Sequence, residues 1–198
     1  MKERPIIFQD WKIPKIINGS ATMTRRPMKP QPRTDGGIIW DQYKNGEWMG
    51  AINVRTKDFN IKCPYGILGD RLWGRETWQE IASDPPNDCY GKGQIQIVYK
   101  ADYEAYQYKI KQWCPSIHMP RRASRIILEI TSIKVEKVQD ISAMDIISEG
   151  ITRSNNYDLV TRVEEEKVRF IHLWNSIYGE GAWERNDWVW CISFRRID

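Results

Sequence analysis

This chain has few thiols, no long apolar run and little excess of charge. Four cysteines, at positions 63, 89, 114 and 191, occur in 198 residues without one CxxC pair. Thiolate metal sites normally cluster their ligands more tightly. Cys114 and His118 have a ligand-like spacing, and with Cys63 and Cys89 they can be drawn as a zinc site. The scattered pattern instead predicts reduced, mostly buried thiols, with no metal and no cofactor. No segment approaches the roughly 18 apolar residues needed to span a bilayer. The Met-Lys-Glu-Arg start also lacks an apolar leader core, so a cytoplasmic chain with no membrane partner is expected. Internal repeats and low-complexity tracts are absent too. With 30 basic and 26 acidic residues the net charge is +4, compatible with nucleic acid without demanding it.

Against these absences stand ten tryptophans. They suit either a core or a surface on which bases stack. The densest stretch is Cys63-Pro-Tyr-Gly-Ile-Leu-Gly-Asp-Arg-Leu-Trp-Gly-Arg-Glu-Thr-Trp78, which reads as a turn feeding a strand. Alternation puts Leu72, Gly74, Glu76 and Trp78 on one face and Arg71, Trp73, Arg75 and Thr77 on the other. If the Leu72 face is inward, Glu76 is a carboxylate beside the core and needs a partner. If the other face is inward, two arginines do. Such charges mark binding or catalytic sites, or else a plain salt bridge at a sheet edge.

Along the rest of the chain, Ile6–Phe8 reads as a first strand. A short helix over Lys12–Asn18 should bury Ile13, Ile16 and Ile17 and end at Gly19. Ser20–Arg26, hydroxylated and then doubly basic, suits an anion or polar ligand, or a solvated loop. Residues 27–37 and 83–93 read as loops. Gly37–Val54 reads as a hairpin about Asn45-Gly46. Gln94–Tyr99 reads as a strand, and the Trp113–Arg122 loop gathers Ser116, His118 and Arg121. The long strand Ser124–Val138 changes parity, which predicts a bulge near Ser132. Ser142 and Asp145 mark a capped helix start, with Ile141 and Ile146 as its staple and Gly150 as its stop. A helix over Leu159–Ile177 should bury Val160, Val163, Phe170, Trp174 and Ile177 and turn Glu164–Glu166 to solvent. Trp188–Phe194 reads as the closing strand. Strands with helices inserted at two places suggest a compact, mostly antiparallel barrel.

Four pieces taken together resemble the ASCH domain of the PUA-like superfamily, in the long form common in bacteriophages and prophages. They are Ile16–Arg26, Cys63–Trp78, Pro115–Arg125 and Trp188–Phe194, and the likeness spans nearly the entire chain. The resemblance implies an α+β fold, a PUA-like β-barrel with inserted helices. Residues 1–198 would form a single domain with a helical insertion at about 140–180 and a cleft beside the first helix. It also implies a role with RNA or a modified nucleoside, in a bacterial host cell. One branch of the family hydrolyses the acetyl amide of N4-acetylcytidine. That branch uses a lysine and a threonine from a Gly-x-Lys-Thr-x-Thr stretch and a glutamate just after a Gly-Asp turn. On this chain the threonine falls on Thr24, the glutamate on Glu76, and the lysine position holds Ala21. A hydroxyl is a weak nucleophile without an adjacent base, and a methyl group supplies none. Either another base serves, Lys15 or His118 among the candidates, or this reaction is not run.

The expected function is therefore a nucleic-acid or modified-nucleoside binding module. Thr22, Thr24, Arg25, Arg26, Glu76 and the Ser116–Arg121 loop would line its cleft. Arg25, Arg26, Arg75 and Arg121 would supply charge, Trp73 a stacking face, and Glu76 an acceptor for a base amino group. The alternative is an amidohydrolase with Thr24 as nucleophile and Glu76 as acid/base or orienting group. A third reading, an assembly protein, would be favoured by an exposed tryptophan patch away from Thr24 and Glu76.

Overall fold

The computed structural model describes residues 1–32, 40–44, 47–52, 62–82, 95–105, 110, 112–151 and 159–197. Its fold is α+β. Nine strands are described: β1 (Glu3–Ile7), β2 (Met23–Pro27), β3 (Trp40–Lys44), β4 (Glu47–Ile52), β5 (Arg71–Arg75), β6 (Trp78–Ala82), β7 (Ile95–Tyr99), β8 (Ile127–Lys137) and β9 (Trp188–Arg196). Three α-helices accompany them: α1 (Ile13–Ile17), α2 (Ala143–Ser148) and α3 (Leu159–Tyr178). The main sheet has five strands in the order β1-β5-β8-β9-β2, with β1 parallel to β5 and the other neighbours antiparallel. β3–β4 and β6–β7 are separate antiparallel hairpins. The β3–β4 pair is the hairpin expected about residues 45 and 46, while the loop expected over 83–93 lies outside the described residues.

The expected barrel does not close among the described residues. β1 and β2 are the two edges of an open sheet, and the seam between them is crossed by a side chain instead of a ladder. Arg26 of β2 donates to the carbonyl of Ile7 and lies 5.6 Å from the Phe8 ring centroid. Phe8 in turn meets Phe194 edge-on, 6.1 Å between centroids. The closing edge is therefore held by one guanidinium and a pair of rings.

β9 explains why two cores can share one sheet. Its alternation sends Trp188, Trp190, Ile192 and Phe194 into the main core with Leu72, Leu128 and Ile130. Val189 and Cys191 point the other way, into a second core with Ile146, Phe170 and Trp174. α2 and α3 thus cover the second face of β9, and continuous burial from Trp188 to Ile192 follows from that double cover. The bulge expected near Ser132 is present, since the β8–β9 register shifts between Ile130 and Ser132. After it, Val135 re-enters the main core while Glu136 turns to the other face, where it meets Arg25.

Helix α3 is rotated from the face its valines suggested. Glu166, Phe170 and Trp174 are buried, whereas Val163 and Ile177 are exposed. Spacing of four along the helix makes Glu166 part of the inward stripe, which corrects its expected solvent position. Tryptophan occupies both buried and half-buried positions among the described residues. Trp78, Trp174, Trp188 and Trp190 are buried; Trp11, Trp73, Trp113 and Trp183 are half-buried. No described helix is long and apolar enough to cross a membrane.

β5 shows the tightest packing. Leu72 and Glu76 are wholly buried, as the parity of the strand requires, and Gly74 lies between them against Ile126. A Cβ on Gly74 would come within 2.9 Å of the Ile126 Cβ. Gly74→Ala is expected to lower stability by about 1–3 kcal/mol through overpacking. Urea unfolding checks this, and an unchanged midpoint would show that the strand has room to spare.

Candidate functional site

The polar heart of the molecule is built from strand alternation and one turn of helix. On the face of the sheet beneath α2, Arg25 of β2 sits opposite Cys191 of β9, and Cys191 sits opposite Lys134 of β8. Glu136 lies two residues beyond Lys134 and shares its face. From above, Asp145 and Glu149, four apart, descend from one side of α2. Arg25 donates to Glu136 (2.6 Å), Asp145 (2.7 Å) and Glu149 (3.3 Å). Lys134 joins Glu136 at 3.0 Å and Asp145 at 2.9 Å. Lys12, in the short 3-10 turn Asp10–Lys12 before α1, reaches the same group. Its Nζ donates to Glu149 at 2.5 Å and to the Met23 carbonyl at 2.8 Å. Three cations therefore face three carboxylates.

Burial sets the charge states here. It pushes the Lys12 ammonium below the usual lysine range; Glu149 pulls it back, while Arg26 and Arg25 push it further down. Burial works to raise the Asp145 carboxyl, but Lys134 and Arg25 outweigh it and hold it below the usual aspartate range. The Cys191 thiol is pushed far up by burial, so it is a neutral packing group.

A cleft opens on this cluster along β2, an edge of the main sheet, beside the 3-10 turn Asp10–Lys12. Its cavity volume is about 60 Å3. Lys12, Thr24, Arg25 and Glu149 form its polar floor; Phe8, Phe170 and Trp174 wall it; Gln9, Trp11, Leu173 and Tyr178 stand toward the mouth. Because β2 is an edge strand, both of its faces reach the cleft, Thr24 from one and Arg25 from the other. At the mouth, Trp11 is fixed by its indole N–H, which donates to Gln9 at 2.7 Å. The Lys15 ammonium lies 5.2 Å from the Trp11 ring centroid.

Glu76 belongs to a different cluster. Arg125 grips it with two parallel hydrogen bonds, Nε to Oε1 and Nη2 to Oε2, both 2.9 Å. Arg125 also binds Asp102 and lies 3.9 Å from the Tyr99 ring centroid. Burial pushes the Glu76 carboxyl up, with Arg125 opposing it. Glu76 is not among the residues lining the cleft.

The other sequence-predicted residues divide between these places. Thr24, Arg25 and Arg26 come together at the cleft. Ala21 is buried in the main core, 3.0 Å from where a Cβ on Gly150 would lie. Thr22 is exposed next to it and donates its backbone N–H to Ser148. Lys15 lies outside the cleft lining and donates to the Gly150 carbonyl. Trp73 and Arg75 lie on the outer face of β5, the Arg75 guanidinium 5.2 Å from the Trp73 ring centroid. Arg75 ties β5 to the 115–122 loop through the carbonyls of Met119 and Ile117. On that loop Ser116 is half-buried, His118 is exposed, and Arg121 pairs with Glu3 at 2.9 Å. Cys63 and Cys114 are free thiols, and no group of three potential metal ligands occurs among the described residues.

Sequence reasoning missed Lys12 and Glu149 at the floor, Glu136 in the ion cluster below it and Arg125 beside Glu76. Only Asp145 carried a signal, as the third residue after a capping serine, and Ser142 does accept its backbone N–H at 3.1 Å. Comparison of the chain with family models, with curated proteins and with solved structures returns no match.

Removing Arg25 leaves three carboxylates facing two lysines. Arg25→Met is expected to cost about 3–5 kcal/mol at pH 7, the scale for breaking a buried ion pair. Asp145 has a folded pKa below its ordinary 3.8, so its contribution is present above that pH and is lost as pH falls through the folded value. Without Arg25 the carboxyl loses a cation that holds it low, so the gap between variant and parent should narrow as pH falls from 7 through 3.8 to 3. Urea titrations at both pH values test this; a gap independent of pH would mean the loss is one of packing alone.

Proposed function

We propose that the cleft along β2 binds a nucleobase, presented by RNA or by a modified nucleoside. The observation that carries this is aromatic walls standing over a polar floor whose charges already cancel. A planar, uncharged heterocycle gains stacking from such walls without having to neutralise the floor. Thr24 then offers a hydroxyl that both donates and accepts, and Arg26 adds positive charge beside the balanced set, suited to a neighbouring phosphate. The resemblance of Ile16–Arg26 to the ASCH domain supports the same reading, because this segment supplies the edge of the cleft. Glu76, with both oxygens on Arg125, has no part in it.

Calorimetric titration with cytidine, N4-acetylcytidine, uridine and adenosine tests the proposal. Trp11→Ala should weaken the best of these by roughly tenfold or more, the loss of one stacking face. No heat with any nucleoside, or an unchanged affinity in the variant, refutes it.

A second reading, hydrolysis of a nucleoside amide, is favoured by one observation. Lys12, its ammonium lowered by burial, lines the same cleft as Thr24, although Ala21 holds the position expected for the lysine. An amine so placed can accept a hydroxyl proton. If this reaction occurs, the parent releases cytidine and acetate from N4-acetylcytidine, and its rate falls as pH drops and Lys12 becomes fully protonated. Thr24→Val should then lose turnover by about a hundredfold or more while retaining binding. Chromatography of the product decides, and a parent without turnover leaves binding alone.

A further inference from the structure

What the cleft floor can recognise depends on the hydrogen-bonding capacity that the ion cluster leaves unused. The Arg25 guanidinium leaves none. Nε donates to Glu136, Nη2 to Glu136 and Asp145, and Nη1 to Glu149 and the Met23 sulfur, which accounts for every N–H it carries. Its side chain is 1% exposed and the whole residue 3%, so Arg25 meets the cleft mainly through its backbone.

Glu149 differs. It is the one carboxylate among the described residues that line the cleft, and its exposure, 7% of the side chain, lies in the carboxylate arm. A carboxylate accepts about four hydrogen bonds, two on each oxygen. Glu149 receives one on each, Oε2 from Lys12 at 2.5 Å and Oε1 from Arg25 at 3.3 Å. One acceptor position on each oxygen stays open. On the same lining, the Thr24 hydroxyl has no hydrogen-bond partner among the described residues, although Thr24 is only 3% exposed. Spare capacity on a carboxylate accepts only. It takes an N–H and repels a carbonyl oxygen.

We propose that Glu149 selects the base: the cleft takes a base bearing an exocyclic amino group in preference to its oxo counterpart. This rests on the nucleobase reading above and adds to it the residue that discriminates and the group it recognises. The amino group donates to the open position on Glu149, and the Thr24 hydroxyl donates to the unprotonated ring nitrogen next to it. An oxo base offers no such pair. In uracil the ring N–H is flanked by two carbonyl oxygens, so turning it to Glu149 sets one of them against the second carboxylate oxygen. Glu76, gripped by Arg125 away from the cleft lining, leaves this part to Glu149.

The test is calorimetry with two matched pairs, cytidine against uridine and adenosine against inosine, in which an oxo group replaces an amino group. The parent should bind the amino member of each pair at least about tenfold more tightly, the scale of one hydrogen bond to a charged group. Glu149→Gln, whose amide also donates, should bring both ratios toward one. A purely structural role would weaken all four nucleosides alike, so unchanged ratios in this variant overturn the proposal. Asp145→Asn removes a charge from the same cluster but not from the cleft lining, and should keep the parent's ratios. An equal fall there would assign the preference to the cluster's charge and overturn the role of Glu149. If Glu149→Gln does not fold, Lys12→Met/Glu149→Met, which removes one charge of each sign, takes its place with the same expected loss of preference. A parent that binds both members of each pair equally, or favours the oxo members, overturns the selection and leaves the nucleobase reading intact. A parent that binds none of the four removes both.

Discussion

The ion cluster around Arg25 is the constraint on which the rest depends. An edge strand such as β2 presents unpaired backbone groups and has only one neighbour to hold it. Here β9 supplies the ladder, and Arg25 adds a second attachment through carboxylates on β8 and α2. Replacing buried ion clusters with apolar side chains is often neutral or stabilising, so the cluster's contribution lies in geometry. Its charges cancel only when β2, β8, α2 and the turn holding Lys12 occupy one mutual arrangement. Any slip of β2 by one residue would send Arg25 into the apolar main core.

The same atoms make the floor of the cleft. Lys12, Arg25 and Glu149 line the space and belong to the cluster, so the surface offered to a ligand is held by interactions that also hold the fold. Aromatic side chains from α3 complete the walls. Their position follows from the rotation of that helix, which brings Glu166 inward with Phe170 and Trp174. A preorganised, internally neutral floor thus lies under aromatic walls, and the seam held by Arg26 places one cation next to it.

A second ion cluster, Glu76–Arg125–Asp102, does other work. Arg125 precedes β8 and Glu76 follows β5, so their fork ties the ends of two adjacent strands. Together with the Arg75 bonds to the 115–122 loop, it fastens that loop over the lower end of β5. Arg75 and Glu76 in the 71–78 stretch thus both tie β5 to its neighbours. The turn preceding them, with Ile67 and Leu68 at its tip, is the part of that stretch which faces outward.

Much of the local structure was already written in the chain. The parity of Leu72, Gly74 and Glu76, the bulge before Ser132, the Ser142 cap and the alternation of β9 all follow from periods of two or 3.6 and from backbone chemistry, which act over a few residues. Glu76 was legible as sharing a face with Leu72, one of two faces that could turn inward, and Thr24, Arg25 and Arg26 as neighbours in a polar segment. What each charge meets was not legible. Arg25 and Glu149 are 124 positions apart, Glu76 and Arg125 are 49 apart, and no local pattern links them. The open seam between β1 and β2, the rotation of α3 and the arrival of Lys12 in the cleft that Thr24 also lines are likewise decided by packing between distant elements. Sequence determined which residues share a face, because that follows local periodicity. Only the tertiary structure decided their partners, because a buried charge is satisfied by whatever the fold brings within hydrogen-bonding distance.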